Sequence, residues 1–313
     1  MQFCMDQATP STSTKQSFIT AACLVVCSIA IWWRPLLAAC ELALSDDAYT
    51  HILLILPLSL SLIYFSGATP RKDWPSTRQG GIALLAISLL LRIFAARNLG
   101  SWSQGDSLSL NIFSLVIWWI GTVVLCFGLQ FLRLILFPAC LLFLMVPFPP
   151  RLTTGIREFL QQQSAISATA LFRLAWVPAT RDGVVISIPG LDLEVAEECS
   201  SIRSSMMLLI ITVVLAHLFL HAWWRKSLLI LAAIPLAVAK NALRIVTIGE
   251  LGTRVDPAFL TGRLHRNGGF LFLGLAVLLT VALLFFLRKR EQDALRIGSV
   301  RYLSVEERGR TDG

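Results

Sequence analysis

Charge is what this sequence has least of. Only 15% of its 313 residues are Asp, Glu, Lys or Arg, against about 25% in an ordinary soluble domain. Too few polar residues remain to cover a water-facing surface. Metal-ligand spacing is missing as well: no CxxC and no Cys/His pairing of the zinc type occurs, so no metal site and no cofactor is expected. There is no basic helix and no interleaving of aromatic with basic residues, so the formal net charge of +8 does not point to nucleic acid. No internal repeat and no low-complexity segment is found. What the chain does have is hydrophobicity, with 56% apolar residues and a mean hydropathy of +0.71. Apolar stretches of about 17–22 residues recur, the length that crosses a bilayer. The chain reads as an all-α polytopic membrane protein in contact with membrane lipids.

About eight spans are expected, near residues 17–33, 48–66, 80–96, 109–128, 134–148, 202–222, 228–248 and 268–287. Lys15, Arg71, Lys72, Arg78, Arg133, Arg225, Lys226, Arg288, Lys289 and Arg290 fall in connections on one side. The other side's short connections carry fewer: Arg34, Arg97, Arg254, Arg263 and Arg266. The positive-inside rule then puts both termini in the cytoplasm. Residues 1–290 are read as one integral-membrane domain and 291–313 as a cytoplasmic polar tail, expected to be poorly ordered. Leu37-Ala38-Ala39-Cys40 resembles a lipoprotein cleavage box, but Arg34-Pro35 breaks the apolar run before it. The segment is therefore read as an uncleaved first span.

The same orientation puts the one long connection, about 149–201, outside. In RLTTGIREFLQQQSAISATALFRL, the residues Ile156, Phe159, Leu160, Ile166, Leu171 and Leu174 recur at roughly helical period. This predicts a helix lying on the membrane surface. The stretch VVISIPGLDLEVAEEC alternates apolar and polar residues on either side of Pro189-Gly190, which predicts a small β-hairpin leading to Cys199.

Of the seven cysteines, Cys23, Cys27, Cys126 and Cys140 sit in apolar runs and read as small hydrophobes, and Cys4 lies in a polar tail. Cys40 and Cys199 have polar surroundings. Cys199 stands at the outer start of the sixth span, Arg244 near the outer end of the seventh, and His265 just before the eighth, so all three share one depth. Each also has a plain reading: a buried structural thiol, an arginine snorkelling to headgroups and an interfacial histidine. Glu197, Glu198, Ser200 and Ser201 would simply cap the sixth span. Together, a thiol, a base and a cation support nucleophilic catalysis. A helix start and Arg203 one turn on would lower the thiol pKa. Glu197 and Glu198 oppose that, so His265 would hold the thiolate as an ion pair or accept its proton. Arg203 rivals Arg244 for the oxyanion role.

Three ordered motifs carry a family resemblance. AEECSSIRS resembles the cysteine motif of the exosortase/archaeosortase family, NALRIV resembles its N-x-x-R motif, and HRNGGFLF resembles its histidine motif. The likeness covers roughly residues 20–290. One departure is visible, Ser201 where the family has glycine. The resemblance implies a cysteine transpeptidase of a prokaryotic cytoplasmic membrane, active at its outer, periplasmic face. Its partners would be exported proteins with a C-terminal sorting signal: a short motif, a transmembrane helix and a basic tail. The resemblance makes Cys199 the nucleophile, Arg244 the oxyanion stabiliser or thiolate partner and His265 the general acid/base, with Arg203, Glu197, Glu198 and Asn241 in support. A hydrolase that cuts without transfer shares these residues. A transporter or polymerase-type protein for envelope polysaccharide or lipid-linked sugar would show similar spans and would not need Cys199.

Overall fold

The computed structural model describes residues 12–70, 74, 77–97, 102–195, 202–256 and 263–311, with side chains left undescribed at 12–14, 263–268 and 294–311. Among them the chain is helical apart from one small antiparallel sheet. Six helices are long and apolar enough to cross a membrane, and two further pairs qualify only as bent pairs. The chain is a multi-pass membrane protein. It divides into two compact units, Met1–Thr153 and Thr154–Gly313.

The first unit begins with α1 (Thr12–Ile31) and α2 (Trp33–Ser45), which meet at a 71° bend. The expected first span is therefore broken. Pro35 in the first turn of α2 has no N–H with which to continue the ladder. Trp32 at the corner is fully buried, and its indole N–H donates to Ser114 Oγ at 2.9 Å. The lipoprotein-like box lies inside α2. Next come α3 (Ile52–Phe65), α4 (Arg78–Arg97) and α5 (Gln104–Leu134), close to the expected second, third and fourth spans. A Cβ added at Gly81 of α4 would come within 2.6 Å of the Leu125 backbone in α5. Such close approach through small residues is how helices associate in lipid, where apolar burial gives little drive.

The expected fifth span needs correction. Residues 136–145 form a short helix, α6 (Leu136–Leu141), and a 3-10 turn (Leu142–Met145). Ten helical residues reach about 15 Å, half a bilayer core of about 30 Å. At Pro149-Pro150 the chain bends by 92° into α7 (Pro150–Leu174).

α7 is one continuous helix of 25 residues, the helix that its apolar period predicts. From Thr154 onward its buried residues are Leu160, Ser164, Ala165, Ala168, Thr169 and Phe172, whereas Phe159, Ile166 and Leu174 are exposed. Small residues let the sheet and a later helix come close. The expected hairpin is present as β2 (Val185–Ile188) and β3 (Leu191–Glu194), paired antiparallel around Pro189-Gly190. Gly190 adopts φ 83, which a turn with Pro first and Gly second requires. A third strand, β1 (Thr180–Asp182), pairs with β2 across a turn where Gly183 has φ 57. Ile186, Ile188 and Val195 pack on Ala165, Ala168 and Phe172 of α7.

Three long helices follow: α8 (Ile202–Phe219), α9 (Trp223–Arg254) and α10 (Arg263–Thr311). They match the expected sixth, seventh and eighth spans, but α9 and α10 overrun them. α10 continues as helix through Thr311, where loss of order was expected. Arg and Glu recur along the segment, and both favour helix.

Candidate active site

Helices α8, α9 and α10 run alternately up and down and touch at three levels. At one end Ala216 of α8 and Leu220, just past its end, meet Leu229 of α9 and Leu284 and Leu287 of α10. At mid-length Leu208, Ala237 and Ala276 meet. At the other end the contacts turn polar. The Lys240 ammonium of α9 donates to Ser204 Oγ of α8, and the Arg203 guanidinium carbon of α8 lies 5.9 Å from the Phe270 ring centre of α10. The first turn of α8, residues 240–244 of α9 and the early turns of α10 therefore share one level.

The polar residues on α9 are deeply set. Lys240, Asn241 and Arg244 are 6%, 2% and 8% exposed. Residues three and four apart share a helix face, so Arg244 stands above both Lys240 and Asn241. Asn241 Nδ2 donates to Ser164 Oγ of α7 at 2.9 Å, which anchors this part of α9 to the loop helix. Its Oδ1 is buried and accepts no hydrogen bond among the described residues. Ala242 and Ile245, on the adjoining face, pack into the core of α7 and the sheet. Arg244 lies ten residues before the end of α9, about 15 Å along the axis. Its side chain is enclosed by protein.

The structure reaches the expected site residues unevenly. Cys199, Glu197 and Glu198, with Ser200 and Ser201, lie outside the described residues. Their flanks are fixed: Val195 is buried, its N–H donates to Val184 O at 3.0 Å, and its carbonyl accepts from Gln161 Nε2. Ile202 then opens α8. His265 lies in the first turn of α10, and its side chain is outside the described residues. Arg203 is half-buried beside Phe270.

Lys240, Ser204 and Ser164 were missed by the sequence reading. For Lys240 a signal was present: a lysine within an apolar span is costly and marks function by default. Ser204 and Ser164 carry no such signal, because serine is common both at helix starts and at close helix contacts.

A model of the transmembrane exosortase family matches residues 32–282. The chain belongs to the transmembrane exosortase family. The matched stretch takes in Cys199, Arg203, Asn241, Arg244 and His265. Membership brings a membrane transpeptidase-type role, with protein substrates that carry sorting signals in general. No match was found among curated proteins or among solved structures.

Proposed function

We propose that this exosortase is a cysteine transpeptidase that cuts exported proteins at a C-terminal sorting signal and transfers them to another acceptor. The observation that carries the reading is Arg244, an arginine buried in a span at the level where α8 begins, three residues after Cys199. The Cys199 thiolate would attack the carbonyl carbon of the scissile peptide bond. Arg244, with Arg203 as its rival, would hold the resulting oxyanion. As the C–N bond breaks, His265 would give a proton to the leaving amine, which departs with the cargo's anchor. The acyl group stays on sulfur as a thioester. An acceptor nucleophile, deprotonated by His265, would then take the acyl group and free the thiol. Asn241 Oδ1 is an acceptor suited to a peptide N–H at this level.

The positive-inside pattern supports an outer-face site in the cytoplasmic membrane. A nucleophile at that depth can reach only bonds held there, which a single apolar span in the cargo would do. The thioester is the test. Acid-quenched membranes of cells expressing enzyme and an exported, span-anchored cargo should yield cargo acyl joined to the tryptic peptide 182–203, in which Cys199 is the single cysteine. Hydroxylamine should release it. Cargo turnover that survives complete alkylation of Cys199 would overturn the proposal.

A further inference from the structure

The end of the α8–α9–α10 bundle away from Lys240 and Arg244 carries charge that the chemistry just described does not use. The apolar run of α10, FLFLGLAVLLTVALLFFL, stops at Leu287, and RKRE follows. The link from α8 into α9 reads HAWWRK. Three contacts bring these stretches together. Glu291 accepts from the backbone N–H groups of His221 and Ala222. The buried Arg225 guanidinium donates to the Arg290 carbonyl at 3.3 Å. The Arg288 guanidinium carbon lies 5.6 Å from the ring centre of Phe219 at the end of α8. Lys226 is also within electrostatic reach of His217 in the last turn of α8.

Arg225, Lys226, Arg288, Lys289 and Arg290 thus gather at one end of the bundle, against the carboxylates of Glu291 and Asp293. Glu291 is already engaged, since it holds the start of α9 and lies 3.6 Å from Arg225. Lys226, Arg288, Lys289 and Arg290 form no ion pair among the described residues. Exposed beside them are Phe219, Trp223, Trp224 and Phe286, and tryptophan marks the headgroup level of a bilayer. An anion that brings its own apolar chains satisfies both the cations and the rings. Basic clusters between membrane helices bind lipid headgroups in this way. We propose that this end of the bundle binds an anionic phospholipid, its phosphate met by Lys226, Arg288, Lys289 and Arg290 and its chains lying beside Phe219 and Phe286. A zwitterionic headgroup would set its own ammonium among these cations, so the site selects a lipid of net negative charge.

The test needs neither cargo nor catalysis, so its outcome is separate from the transpeptidase reading. Full-length enzyme in detergent is titrated with phosphatidylglycerol, phosphatidylcholine or inorganic phosphate. Bound lipid is counted by native mass spectrometry, and the melting temperature is followed in parallel. Phosphatidylglycerol should bind and raise the melting temperature, and the other two should not. Each cation contributes on the order of a fivefold preference, so Lys226→Gln with Arg288→Gln should weaken phosphatidylglycerol binding about tenfold or more. Lys289→Gln with Arg290→Gln, both exposed so that folding is not at stake, should weaken it comparably. Lys226→Arg with Arg288→Lys keeps the charge and should keep the binding. Arg78→Gln with Arg133→Gln removes two cations that the sequence reads to the same side of the membrane, and should change nothing. Equal loss in that last variant would show general surface attraction and overturn the proposal. Native binding in the Lys289→Gln, Arg290→Gln protein would also overturn it, as would inorganic phosphate that stabilises as well as the lipid.

Discussion

Arg244 concentrates the residue-scale argument. A guanidinium presents a planar fork of donors, which an ammonium cannot imitate. Arg244→Lys should therefore insert normally and lose cargo processing by about 10²–10³-fold, the usual cost of removing an oxyanion donor. Quantitative blotting of processed cargo against enzyme level checks this, and native processing in Arg244→Lys would shift the role to Arg203. Arg244 was legible as an arginine near a span end, and Asn241 through the likeness of NALRIV to the family's N-x-x-R motif. Lys240 carries a signal of its own, a charge within an apolar run. Its partner could not be read at all: Ser204 is 36 positions away, and only the packing of α8 on α9 joins them.

At the scale of elements, the six spans that qualify singly were legible because each contains an apolar run of bilayer length. The two bent pairs were not. Hydropathy averages over a window, whereas a bend comes from Pro35 or Pro149-Pro150 and a buried corner such as Trp32. The protein-facing side of α7 was not legible, because periodicity weights large side chains and the close contact here uses Ser164, Ala165 and Ala168. The Gly81 contact gives a direct check on small-residue packing. Gly81→Val would drive its side chain into the Leu125 backbone, so the α4–α5 pair should separate and the melting temperature in detergent should fall. A second element-level contact lies at the far end of the second unit. Glu291 of α10 accepts from the backbone N–H groups of His221 and Ala222 at 3.2 and 2.7 Å, and its carboxylate is 3.6 Å from the buried Arg225 guanidinium. It caps the start of α9 from another helix. Glu291→Ala should cost about 1.5–3 kcal/mol, the range for hydrogen bonds to a charged group. Glu291→Gln, which can still accept from the backbone, should recover part of that in thermal unfolding.

For the whole molecule, the claim that organises the rest is orientation. If both termini are cytoplasmic, single cysteines or reporters placed at about positions 75 and 300 should report the cytoplasm and one at about 165 the outside. A cytoplasmic result at 165 would remove the site from exported cargo altogether. Family membership was legible because three short motifs stand in order between residues 196 and 272, despite Ser201 in place of glycine. The central claim, that the Cys199 thiol removes the anchor of an exported protein, is tested most directly at the cargo's own C-terminus. Intact mass spectrometry of a span-anchored cargo should show it trimmed or remodelled just outside its span in cells with the native enzyme, and full-length in cells with Cys199→Ala. A cargo that keeps its whole anchor beside active enzyme, or one trimmed equally by Cys199→Ala, would contradict the account.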